Sequence, residues 1–290
     1  MVSCACGGAP SRDTVASPEL VVLERGAAPR RLLRYELSIG SKERVELTSK
    51  SIIHSGITNT TLETINQRTE FPTVRSRMSL GVTEQRDGRA RITRVVDDAV
   101  LDADGTTDAS ARRALERDIA KRRGETTSSW MTPAGEVFEA AGDPSSGVAI
   151  NELLKIAVQA DNVRFPDEPV GVGAAWRLTS HRRLQGVEVE RVQTIRVAGL
   201  ADHEISLATE TVMTAAPQDL VVQPNATTKL TGLRFRVTAT IVVSLRGLAS
   251  IIYGEGRGEI NLVVRQRGLK VTSATTIDSV FTTTPLAHRE

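Results

Sequence analysis

Aromatic residues are nearly missing: they make up 3% of the chain. A core must therefore be built from Val, Ile, Leu and Ala, and stacking platforms for bases or sugars are scarce. Histidine is rare. His54, His181, His203 and His288 stand apart from one another, and no cysteine lies in the body to join them, so no metal-ligand spacing arises. The only cysteines, Cys4 and Cys6, are separated by one residue and staple nothing. No run approaches the roughly 18 apolar residues of a membrane-spanning helix. Net charge is +2 across 290 residues, too small to make a global field for nucleic acid or anionic membrane. Arginine outnumbers lysine, but the arginines are scattered among acids and read as solvated surface. No nucleophile elbow, Cys/His pair or carboxylate dyad is visible, so the chain is expected to be non-enzymatic and to need no cofactor.

What remains is alternation. Leu33, Tyr35, Leu37 and Ile39 alternate with polar residues, then Val45 and Leu47 after Gly40, predicting a strand pair over 31–53. Residues 55–72 read as a loop or ragged edge strand. Strands at 74–83 and 90–96 meet at Arg86-Asp87-Gly88, a tight-turn signal. Asp108 caps a helix over 109–123 that stops at Gly124. A hairpin over 126–140 turns at Pro133-Ala134-Gly135.

A second helix is predicted from Ser145 or Ser146 to Ala160. Its polar residues Asn151, Glu152, Lys155 and Gln159 form a narrow stripe; Leu153, Ile156, Ala157 and their neighbours cover the rest. Such a helix must touch more than one apolar face, either as sandwiched core or as the lid of a greasy cavity. From Trp176 onward nearly everything reads as strand: 176–184, 187–197, 204–214, then, after a loop over 217–228, a long strand through Leu233, Phe235, Ile241 and Leu245, and two more at 250–265 and 269–284. Gly254, Gly256 and Gly258 strip one face of a strand, which fits close packing under Trp176 or the second helix. Asp102-Ala103-Asp104-Gly105 looks like the start of a calcium loop without its closing ligands, so a turn explains it better.

The fold class expected is mainly β with two helices (α+β): one large curled antiparallel sheet or half-barrel. Faint echoes suggest two duplicated halves, 31–165 and 166–290, within a single domain over 31–290. The stretch Phe165 to Trp176 joins them. Residues 1–30 read as a flexible tether behind Cys4. Met1-Val2-Ser3-Cys4 matches the last residues of a bacterial lipoprotein signal, and Gly7-Gly8-Ala9-Pro10-Ser11 the linker that trails one. Cys4 is thus the expected lipid attachment site, and each buried acyl methylene would add about 0.8 kcal/mol of membrane anchoring. The alternative is a cytoplasmic protein with two idle thiols.

Glu168-Pro169-Val170-Gly171-Val172-Gly173-Ala174-Ala175-Trp176, with the strand repeats and the glycine-rich late strand, resembles uncharacterised bacterial envelope lipoproteins carrying a P-V-G-x-G-x-x-W β-sheet domain. In architecture alone the chain is also similar to LolA-like and mycobacterial lipid-carrier lipoproteins. The resemblance implies an envelope location and no assigned activity. The leading expectation is a protein that binds a lipid or other apolar ligand in a curved sheet closed by a helix, with Leu153, Ile156, Ala157, Trp176, Phe235 and Ile241 lining the site. The alternative is a structural or interaction protein of the envelope with a solid core.

Overall fold

The computed structural model describes residues 18–59, 63–105, 107–139, 163–184, 187–223, 226–266 and 269–287. Cys4 and the predicted helix over 145–160, with Leu153, Ile156 and Ala157, lie outside the described residues.

Among the described residues, fourteen strands form one antiparallel sheet that is not closed into a barrel. They are β1 (Glu19–Glu24), β2 (Lys42–Thr58), β3 (Thr64–Glu70), β4 (Val74–Arg86), β5 (Arg89–Leu101), β6 (Thr126–Met131), β7 (Val137–Glu139), β8 (Ala175–Leu184), β9 (Val187–Leu200), β10 (Glu204–Ala215), β11 (Gln218–Gln223), β12 (Ala226–Ser244), β13 (Ser250–Gln266) and β14 (Leu269–Pro285). Their order is β1-β8-β9-β10-β12-β13-β14-β2-β4-β5-β6-β7, with β11 beside β12 and β3 beside β2. The last strand therefore lies beside the first long one and welds the two halves: β14 pairs with β2 from Thr272↔Thr58 to Pro285↔Val45.

Ile92 and Met131 from one end of this order share a core cluster with Trp176 and Ile195 from the other end. The sheet must therefore curl, as the right-handed twist of such long strands requires. Its inward face carries Leu207, Met213, Phe235, Ile241 and Ile277, all buried.

Local chemistry explains the boundaries. Asp87 (φ 50°) and Gly88 (φ 71°) both sit in the left-handed region, the pair of conformations a tight hairpin turn between β4 and β5 demands. Among the described residues there is one helix, α1 (Ala109–Ala120). The Asp108 carboxylate accepts the backbone N–H groups of Ser110 and Ala111 at 2.8 and 3.0 Å, and that capping holds its pKa below the usual carboxylate value. The acidic turn at 102–105 is also structural. Asp104 accepts both the N–H (2.8 Å) and the hydroxyl (2.7 Å) of Thr73, and Lys50 lies 3.1 Å away. These bonds, the Thr73 N–H first, push the Asp104 pKa far down. The folded pKa is lowered, so the stabilisation is complete above the ordinary carboxylate range and is lost as pH falls below it. Asp104→Asn should melt earlier than the parent at neutral pH. Thermal melts across a pH series should show the gap narrowing from about pH 4 downward.

Two expectations need correction. Residues 32–38 alternate like a strand but join no ladder. Tyr35 donates its N–H to the Pro133 carbonyl (2.7 Å) and Glu36 donates to Leu245 (2.7 Å), so the alternation reflects one side lying on the core. The loop expected over 217–228 contains β11, which pairs with β12 from Gln218↔Leu230 onward. Pro217, which cannot donate to a ladder, sits just before it.

Candidate functional site on the inward face

One end of the curled sheet is sealed by the residues around the Phe165–Trp176 junction. Val170 and Arg31 exchange both backbone bonds at 3.0 Å, and Ala27 donates to Val172 at 2.8 Å. Phe165 donates its N–H to Ala134 (2.7 Å), and Val163 donates to the Tyr35 hydroxyl (3.1 Å). Burial pushes the pKa of that hydroxyl upward. Arg164 bridges the gap between the two sheet edges: its guanidinium donates to the Pro18 carbonyl (2.7 Å) and lies 3.4 Å from Glu136, while its own carbonyl accepts Trp176 Nε1–H (2.9 Å). Tyr35, Phe165 and Trp176 fill the space behind, with ring centroids 5.1 and 6.4 Å apart along the series. The junction is a packed plug.

Of the residues expected to line a ligand, Trp176, Phe235 and Ile241 have no exposed surface. Trp176 belongs to the plug; Phe235 and Ile241 are spaced along the inward face of β12 and share the core cluster with it. The glycines of β13 pack closely, but under different partners from those expected. A Cβ on Gly254 would meet the Phe281 ring at 2.2 Å, and one on Gly258 the Phe235 ring at 1.8 Å.

Away from the plug the inward face changes character. Alternation along β8 puts Trp176, Leu178, Ser180 and Arg182 on one side, and Val189, Arg191, Gln193 and Ile195 share that side of β9. The register sets Ser180 opposite Arg191 and Arg182 opposite Val189. The two arginines are thus diagonal neighbours, with backbones about 7–8 Å apart. Arg191 also faces Met213 on β10, and Gln193 faces Thr211. Ser180, Gln193 and Thr211 are buried polar residues.

The electrostatics are unfavourable as they stand. Arg191 donates one Nη2–H to Gln193 Oε1 at 3.3 Å. The Nε–H groups of Arg182 and Arg191 are both shut off from solvent and have no acceptor. A buried donor left unmade costs about 1–3 kcal/mol. Burial, and then the positive charge of Arg182, pull the Arg191 pKa down to about 10. A base with a depressed folded pKa opposes folding while it is charged, so this penalty is present at neutral pH and fades only as pH rises through about 10. The expectation that the arginines are solvated surface fails at these two positions. The signal was parity: Trp176, Leu178, Ser180 and Arg182 are evenly spaced by two.

Beyond the arginines lies apolar surface that the core does not cover completely. Val187, Leu220 and Leu262 pack against the core while partly exposed, and Ile57 on the same face is 43% exposed; Ile53 and Ala215, also partly exposed, lie level with the arginines. Two other hollows exist. One, of about 300 Å³, lies beside Tyr35 and the β4–β5 turn. There Gln85 donates to the Leu37 carbonyl and Arg89 stacks 4.8 Å over Phe138, so its polar groups already have partners. The other, about 660 Å³ and shallow, lies on the outward face around Thr240, Tyr253 and Val280. Among the described residues no three His, Cys, Asp or Glu side chains gather where they could hold a metal.

No family model matches the chain, and no curated protein matches it. Solved structures give faint likenesses. An outer membrane channel from Pseudomonas putida F1 aligns at 10% identity over 87% of this chain and 98% of its own, with a TM-score of 0.25. The CymD monoaromatic hydrocarbon channel aligns at 7% identity over 86% of this chain and 90% of its own, with a TM-score of 0.17. Scores this low carry no argument about fold or function, and the chain stands without a demonstrated family.

Proposed function

We propose that the protein is a non-enzymatic binding protein of the bacterial cell envelope, anchored by acyl chains on Cys4, that holds a lipid or other apolar ligand against the inward face of its sheet. The observation that carries the reading is the contrast between the two ends of that face. One end is sealed by Tyr35, Phe165 and Trp176. The other has no such ring stack among the described residues and leaves Ile57, Val187 and Leu262 only partly covered. Burying apolar surface releases about 25 cal/mol per Å², so a chain of methylenes laid there would bind without specific polar contacts.

The second reading is a structural or interaction protein. It is favoured by Tyr253 (56% exposed) and Val280 (59% exposed) beside the shallow outward hollow, an apolar spot rimmed by polar residues. Ala215→Trp separates the two, because Ala215 is inward and partly exposed. If the face takes a ligand, the variant should fold, keep its melting temperature within a few degrees, and lose uptake of a fluorescent fatty-acid probe. Unfolding of the variant, or a parent that never takes up the probe, would remove the binding reading.

A further inference from the structure

We propose that Arg182 and Arg191 anchor the anionic group of an amphiphile, a carboxylate or phosphate, whose hydrocarbon part lies along the partly covered apolar surface beyond them. The assignment deepens the ligand-binding reading and rests on it.

The first ground is charge. Along β8, β9, β10, β12, β13 and β14 the described inward positions carry no acidic residue. Glu188, Glu190, Glu210, Glu255, Glu259 and Asp278 all fall on the outward parity of their strands, where Glu210 meets Arg236 at 2.8 Å. Arg182 and Arg191 are the only charged residues on the inward side of those strands among the described residues, and they are neighbours. Like charges side by side in a sheet destabilise it. An anion settling between them would relieve that repulsion.

The second ground is chemistry. A guanidinium presents a planar fork of donors that matches two oxygens of a carboxylate or phosphate. Both forks here have a donor to spare, since each Nε–H is out of water without an acceptor. Gln193 already turns its carbonyl oxygen toward Arg191, at 3.3 Å, and so holds that side chain in place. The depressed pKa of Arg191 agrees with a site that lacks its counter-charge.

The third ground is position. The arginines lie between the sealed plug and the open apolar end. Ser180 and Arg191 share a cross-strand row; the next row outward holds Arg182, Val189, Ala215 and Leu233. Past it come Val187 and Leu262. A head group at the pair would have its chain directed away from the plug, over Val187, Leu262 and Ile57, which are partly exposed. The purely structural alternative, arginine stems filling space, does not explain two charged heads turned inward where Leu or Met would pack without cost.

The test uses the delipidated full chain with palmitic acid, hexadecanol and inorganic phosphate, each titrated by calorimetry, and the variants Arg182→Met, Arg191→Met and the double variant. Palmitate should bind about 10- to 100-fold more tightly than hexadecanol. The double variant should abolish that preference. Arg191→Met should raise the melting temperature of the ligand-free protein, because it removes a buried charge; a fall would make the arginine structural and overturn the assignment. Equal affinity for acid and alcohol would overturn it too, yet leave apolar binding intact. Failure of both to bind would overturn the binding reading itself. Inorganic phosphate binding as tightly as palmitate would mark the site as one for a free anion and defeat the amphiphile.

Discussion

Gly258→Ala should cost about 3 kcal/mol, and Phe235→Leu in the same chain should recover most of it. Gly258 and Phe235 face each other across β12 and β13, both inward. The Phe235 ring lies flat against the bare glycine, so an added methyl would sit 1.8 Å from Cε2 and 2.1 Å from Cδ2. The ring is fully buried and cannot swing into solvent. At roughly 2–4 °C per kcal/mol, the melting temperature should drop by about 6–12 °C. Gly256→Ala is the internal control. Its methyl would meet Ser279 Oγ at 2.8 Å and Val237 Cγ2 at 3.2 Å, contacts that a small rotation relieves, and the Arg236 carbonyl at an ordinary 3.6 Å, so its loss should be clearly smaller. If the three variants melt together, the ring-on-glycine packing is not what positions β13.

Trp176→Ala should be the costliest single truncation, about 3–5 kcal/mol, as expected for a large aromatic removed from a closed core. Trp176 has no exposed surface and touches Phe165 edge-on. Its Nε1–H also holds the Arg164 carbonyl, the residue that links Pro18 to Glu136 across the open seam of the sheet. The variant therefore loses packing and loosens the seam together. Trp176→Phe should separate the two effects. It keeps most of the ring and forfeits the hydrogen bond, for a loss of about 1–2 kcal/mol. Denaturant unfolding followed by far-ultraviolet circular dichroism measures both, and a Phe variant as damaged as Ala would show that the seam depends on that one bond.

Much of the fold was legible because half-buried strands write their burial as alternation. Twelve residues of β12, from Leu233 to Ser244, alternate with only Val242 out of step, and Asp87-Gly88 announced its hairpin by conformational demand. Asp108 likewise announced the start of α1. Alternation fails to tell a strand from an extended segment lying on a core, which is why residues 32–38 read as a strand. It also says nothing of partners. That Phe235 rests on Gly258 and Phe281 on Gly254 follows from register, a long-range property set by how β12, β13 and β14 pair.

The candidate site was legible only in part. His181-Arg182-Arg183 looks like a charged run on solvent, and its composition supports that. The parity of Trp176, Leu178 and Ser180 contradicts it, because an even step of two carries Arg182 inward. Trp176, Phe235 and Ile241 stand out by size and hydrophobicity, properties that mark core residues more readily than ligand contacts. Under the proposed reading the ligand contacts would be partly covered residues such as Val187 and Leu262, and partial cover is a property of the folded sheet.

Native mass spectrometry of the full chain, purified without detergent exchange from the membranes of its own cells, tests the central claim most directly. Spectra should show the chain carrying a bound amphiphile whose released mass corresponds to a carboxylate or phosphate bearing hydrocarbon, and the Arg182→Met/Arg191→Met protein should carry it far less often. A chain that is ligand-free in every preparation, with the double variant indistinguishable from the parent, would contradict it.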